Sequence, residues 1–324
     1  MKIHKIFAVV SVAALLLSSV PASYAQQKKS KKITNYNDMI AAYNGGKRKM
    51  ALDIALSYKN GINGAVKDPE QALEWLDKAF DAGVARAATI AGTMYYKGAG
   101  VKRDFQMAEQ YYRKASAKGN EDAMIRLGYM YEHGYGVSES IESARNWYGK
   151  AAKKYEKGKK CSVACKYYAD ASYFYTANNP DKKEGFDEAL KWYEKAFDAG
   201  YMEVSVNLAS LTYQLNSTGN ANASSEKAIK FLFDAAGKGY VPAMEALAEG
   251  FMTGKYGKRD MINAYAWSSL LVARGLNKSN VKEIRQTSER NMNDEQKKKA
   301  QKSADALIKK LVEAVYLESN GNLD

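Results

Sequence analysis

Cys161 and Cys165, four residues apart in Cys161-Ser-Val-Ala-Cys165, are the two thiols of the chain and the first candidates for chemistry. Zinc would need further Cys or His ligands. The only histidines are His4 and His133, and His4 lies within the first 25 residues, which read as a cleavable leader, so a zinc site is poorly supplied. In an oxidising compartment the pair can close one disulfide. Inside a regular helix that spacing is awkward, because it constrains both the Cα separation and the Cβ directions. Cys161 placed in a loop ahead of a helix could reach back. One disulfide and two packed or free thiols stand as even alternatives. Nucleophilic chemistry at Cys161 would need a reduced thiol and a base, which export disfavours.

Other catalytic groups are scarce. His133 stands just before Gly134, where an imidazole caps helix carbonyls more readily than it serves as a base. No Gly-x-Ser-x-Gly elbow occurs. Gly98-Ala-Gly100 lacks the following Lys-Ser/Thr of a phosphate loop and a preceding strand, so it reads as a turn. Of the 36 acidic residues most stand beside Lys or Arg at helix-surface spacing, as on a solvated face. Glu245 and Glu249 share one helix face without a facing carboxylate that the sequence can name. No enzyme, cofactor or metal is expected.

The elements that would carry these residues come from a repeat. Lys-Ala-Phe-Asp-Ala-Gly occurs at 78–83 and again at 195–200. Trp75, Tyr111, Trp147, Trp192, Phe231 and Trp267 stand 36, 36, 45, 39 and 36 residues apart, the signature of stacked repeats. Ala123, Leu127 and Met130-Tyr131 follow amphipathic helical spacing. Gly98-Ala-Gly100-Val101 and Gly134-Tyr-Gly136-Val137 end that helix, and Asp68-Pro69-Glu70-Gln71 opens the next with an N-cap and a first-turn proline. Asp104 and Asp260 take the same place. Each unit is expected to be a short antiparallel helix pair whose aromatic fills the gap against the next unit.

Leu127-Gly-Tyr-Met-Tyr131, Gly134-Tyr-Gly-Val137 and Trp147-Tyr-Gly-Lys-Ala-Ala152 resemble the Sel-one-like repeat family, relatives of the tetratricopeptide repeat. The resemblance implies an all-α superhelical solenoid of about six helix pairs over 37–275 and a helical cap over 276–324. Units four and five depart, with polar loops at 178–183 and 216–224 in place of the Gly-x-Gly-Val turn. In the cap, Leu307, Leu311, Val312, Val315 and Tyr316 make one apolar stripe. The resemblance also implies a concave groove lined by first helices. Carried over, its positions are Arg86, Thr89, Thr93, Tyr96 and Lys97 in unit two, and Asp122, Ile125, Tyr129, Glu132 and His133 in unit three. Unit four supplies Tyr167, Ala171, Phe174 and Tyr175, and unit six Glu245, Glu249 and Met252.

Residues 1–25 have a cationic start, an apolar run from Ile6 to Val20 and small residues at Ser23 and Ala25, as in a cleavable signal peptide. Cleavage after Ala25 removes Lys2 and Lys5 and takes the net charge from +13 to +11. Residues 26–36 read as a basic linker. No transmembrane segment is expected in the mature chain. A periplasmic or secreted, non-enzymatic scaffold for a protein or peptide partner, acidic ones included, is the first reading. A cell-wall glycan, bound or hydrolysed, is the alternative, and nucleic acid is not expected.

Overall fold

The computed structural model describes residues 35–155, 161–179, 181–182 and 184–320, with side chains omitted at 155, 184 and 311–320. The leader, most of the basic linker and the last four residues of the cap lie outside the described residues. Among those described there are fifteen α-helices and no strand. A first helix, α1 (Tyr36–Asn44), precedes six helix pairs: α2 (Ala51–Asn60) with α3 (Pro69–Asp81), α4 (Ala85–Lys97) with α5 (Phe105–Ala117), and α6 (Glu121–His133) with α7 (Ile141–Ala152). Then come α8 (Val163–Asn178) with α9 (Glu184–Asp198), α10 (Ser205–Ser217) with α11 (Ser225–Gly237), and α12 (Val241–Thr253) with α13 (Met261–Ala273). Two helices, α14 (Ser279–Arg290) and α15 (Asp294–Asn320), close the array.

The pairs begin and end where their chemistry dictates. Asp68, Asp104, Ser140, Ser224 and Asp260 accept hydrogen bonds from first-turn amides and so cap five of the second helices. Gly61, Gly98, Gly134 and Gly254 end first helices in the left-handed conformation. Each Gly-x-Gly turn then leans on the preceding unit. A Cβ on Gly100 (φ 79°) would fall 2.3 Å from Pro69 Cγ, so the turn of unit two sits directly on the start of α3. Units four and five, which lack that turn, end their first helices on Asn179 and Thr218.

Alanines at the helix crossings build the core, joined in units two, three and four by one fully buried ring. Tyr112, Tyr148 and Tyr193 are buried on α5, α7 and α9. Gly92 and Gly128 make room for the first two of these rings, since a Cβ on Gly128 would stand 2.5 Å from the Tyr148 ring. In four units the recurring aromatic of the second helix behaves otherwise than expected. It reaches back onto the preceding unit: Trp75 onto Tyr43, Tyr111 to Asp77, Phe231 onto Phe197 and Trp267 onto Phe233.

At the far end α13 is buried along nearly its whole length, between α12 and the two closing helices. The closing helices pack with both branched and small residues, Val281 and Ile284 of α14 being buried in the main core. Ala300 and Ala304 are buried, Met292 packs with Tyr265, and the Tyr265 hydroxyl meets Gln301 Oε1 at 3.1 Å. Leu307 is half-buried against the core beside Ile308, while the side chains of Leu311, Val312, Val315 and Tyr316 lie outside those described.

Candidate functional site

The carried-over groove positions separate into packing and surface. Thr89 is buried and its hydroxyl meets Asn120 Oδ1 at 3.0 Å, joining α4 to the N-cap of α6. Ile125, Ala171 and Tyr175 are likewise buried. These four are therefore repeat-packing residues, not contact residues, because their surface is already used. Thr93 is half-buried, its hydroxyl donating to the Thr89 carbonyl at 2.8 Å and lying 3.2 Å from the Tyr112 hydroxyl. Arg86, Lys97, Asp122, His133, Phe174 and Glu249 are exposed, and Tyr96, Tyr129, Glu132, Tyr167, Glu245 and Met252 half-buried.

Five aromatic rings meet where units two and three present their first helices. Tyr129 stacks on His133 with ring centres 4.1 Å apart, and His133 lies parallel to Tyr135 at 5.6 Å. Tyr135 also meets Phe105 at 5.4 Å and Tyr96 at 6.0 Å. None of the five is fully buried. His133 Nδ1 lies 3.0 Å from the Tyr129 carbonyl, so the imidazole serves as a local cap while its ring extends the stack. Burial raises the Tyr129 phenol above its ordinary range, with smaller contributions from Tyr135 and Glu132. Tyr135 and Phe105 lie outside the first helices. The one sequence signal for Tyr135 is that it fills the middle of Gly134-Tyr-Gly136, where unit two has Ala99.

Farther along, acids on the first helices anchor the buried rings of the second. The Tyr148 hydroxyl donates to Glu132 Oε2 at 2.7 Å, and the Tyr193 hydroxyl to Asp170 Oδ1 at 2.5 Å. Desolvation, reinforced by the paired carboxylate, holds both phenols well above their ordinary value. Tyr167 stacks on Tyr148 at 5.2 Å, and Lys166 lies 4.9 Å from the Tyr167 ring centre and 3.0 Å from Asp170. Phe174 is edge-on to Tyr173 at 5.6 Å. Glu245 is held by Lys278 at 2.5 Å rather than by a second carboxylate.

Cys161 and Cys165 are joined by a disulfide with Cα atoms 6.1 Å apart. Cys161 lies in the connection ahead of Ser162, the N-cap of α8, and Cys165 is buried within that helix. Ser162 also contacts Glu121 of α6, whose carboxyl burial pushes up. Among the described residues no three His, Cys, Asp or Glu are grouped to hold a metal ion, and no helix is long and apolar enough to cross a membrane.

The Sel1 repeat model matches residues 49–84, 85–120, 121–155, 179–201 and 241–275. Within the six pairs the unmatched helices are α8 and the whole fifth pair, where the turn glycines are missing. A Sel1 repeat protein from Oxalobacter formigenes, known from its crystal structure, is 28% identical, with 74% of this chain and 100% of that one aligned and a TM-score of 0.49. A protective antigen of uropathogenic Escherichia coli strains that displays an SLR fold is 21% identical, with 89% of this chain and 67% of that one aligned and a TM-score of 0.42. No curated protein is significantly similar in sequence. The family match covers units one, two, three and six and the second helix of unit four, in an array whose helix pairs recur at the same period, and the chain belongs to the Sel1 repeat family.

Proposed function

We propose that the protein is an exported scaffold of the bacterial cell envelope that holds a protein or peptide partner on its first-helix face. Sel1 repeat proteins are generally protein-interaction scaffolds. The observation that carries the reading to this face is the ring stack of Tyr96, Phe105, Tyr129, His133 and Tyr135, which spans two units and stays open to solvent. Rings of this kind supply large contact area at low conformational cost and dominate protein interfaces. Export rests on the leader of residues 1–25 and agrees with a disulfide at Cys161 and Cys165. A photo-reactive aromatic amino acid placed at Tyr129 should cross-link a discrete partner in envelope fractions, while the same group at Gln110, exposed on α5, should not. Cross-linking at Gln110 alone would move the site to the second-helix side.

A further inference from the structure

The first helices of units three to six are acidic in a basic protein. Together α6, α8, α10 and α12 carry six carboxylates against two cations, Arg126 and Lys166, in a chain of net charge +13. Most of the positive charge sits in connections and ends, in runs such as Lys47-Arg48-Lys49 and Lys258-Arg259. Both cations of the acidic face are engaged, Arg126 with Asp122 at 3.2 Å and Lys166 with Asp170 at 3.0 Å. Glu132, Glu249 and Glu203, the last in the turn ahead of α10, stand beyond those ion pairs.

Three acids of this face gather around one half-buried ring, Tyr167, which itself stacks on Tyr148 at 5.2 Å. Glu132, Asp170 and Glu203 come from three successive units and all lie close enough to raise the Tyr167 phenol, after burial has made the larger contribution and against the opposing charge of Lys166. A ring face beside carboxylates is what a Lys or Arg head group recognises, through cation–π attraction and charge-assisted hydrogen bonds. Lys166 already sits in that way between Tyr167 and Asp170. On the other side of the array α3 and α9 also hold more acid than base. There the rings lie closer under their own lysines, Trp75 under Lys78 at 4.2 Å and Trp192 under Lys195 at 4.1 Å, than Tyr167 does under Lys166 at 4.9 Å.

We propose that the first-helix face of units three to six receives a basic segment of a partner protein, whose Lys or Arg side chains lie against Tyr129 and Tyr167 and among Glu132, Glu203 and Glu249. The proposal rests on the reading of this face as the partner-binding one. An acidic segment, a nucleic acid or an anionic membrane would meet like charge there, a several-fold penalty that grows as salt falls.

The test uses the full chain and a labelled peptide of alternating Arg and Ala, with its Glu-Ala counterpart as control, read by fluorescence anisotropy. The Arg peptide should bind and should weaken about tenfold as salt rises from about 50 to about 200 mM. Glu132→Gln/Glu203→Gln/Glu249→Gln should weaken it by about tenfold or more, whereas Glu74→Gln/Asp81→Asn/Asp198→Asn, an equal charge change on the second helices, should leave it nearly unchanged. Should the first triple variant fail to fold, Glu203→Gln/Glu249→Gln, confined to exposed side chains, keeps the same expectation. Equal weakening by both triple variants, or tighter binding of the Glu peptide, overturns the proposal. A partner that cross-links at Tyr129 yet binds the first triple variant as tightly as the unaltered chain would also overturn it, while leaving the binding face in place.

Discussion

Gly128 and Tyr148 show how a single position decides whether a unit closes. The α6 backbone can approach α7 because Gly128 has no side chain, and the Tyr148 hydroxyl then reaches Glu132 at 2.7 Å. Gly128→Ala should destabilise the protein by about 1–3 kcal/mol, because the Tyr148 ring has no free space to move into. Gly237→Ala, at the exposed end of α11 with no atom within 4 Å of the added Cβ, should be neutral or stabilise by up to about 1 kcal/mol. Urea denaturation of both variants checks the contrast. The same contact sets an alkaline limit. The folded protein holds the Tyr148 proton more tightly than the unfolded chain does, so this stabilisation is complete below the ordinary tyrosine value of 10.0 and is lost as pH rises above it. Tyr148→Phe should cost about 1 kcal/mol at pH 8 and should flatten part of the fall in stability between about pH 10 and pH 11.

At the scale of elements, units two and three were legible because turn chemistry repeats in phase: an αL glycine, a second glycine pressed on the previous unit, then an Asp or Ser cap. Where those glycines are missing, at the ends of α8 and α10, the sequence indicated the helices but not their boundaries. The cap was harder to read for a physical reason. On α15 the buried contacts are Ala300 and Ala304, small residues in a Lys-rich helix that leave no strong apolar signal, whereas on α14 they are Val281 and Ile284, isolated in a polar stretch. The carried-over groove positions mixed contact and packing because a first helix shows one stripe to solvent and another to its neighbours. Tyr129 and Asp122 fell on the first stripe, Thr89 and Ile125 on the second. Truncation from Asn277 onward removes α14 and α15 and uncovers Tyr265 and its neighbours on α13. Its melting temperature should fall by roughly 10 °C, several kcal/mol in a chain of this size, with lower solubility. An unchanged melting temperature would show that these helices do not cap the array.

The whole molecule is a row of helix pairs that gains its surface from repetition and its local differences from departures from the repeat. Tyr135 in place of Ala99, Glu132 in place of Tyr96 and Asp170 under Tyr193 are such departures, and they concentrate in units three and four. Convergence of acids from three units on one ring is set by the stacking, so it could not be read along the chain. Paired measurement of partner affinity and melting temperature for Tyr129→Ala and His133→Ala tests the central claim most directly, using the partner captured at Tyr129. The scaffold account predicts a loss in affinity of about tenfold or more for Tyr129→Ala, about 2 kcal/mol for a buried aromatic anchor, with a melting temperature that moves by no more than a few degrees. A lower melting temperature with unchanged affinity per folded molecule would contradict it and assign the ring stack to packing alone.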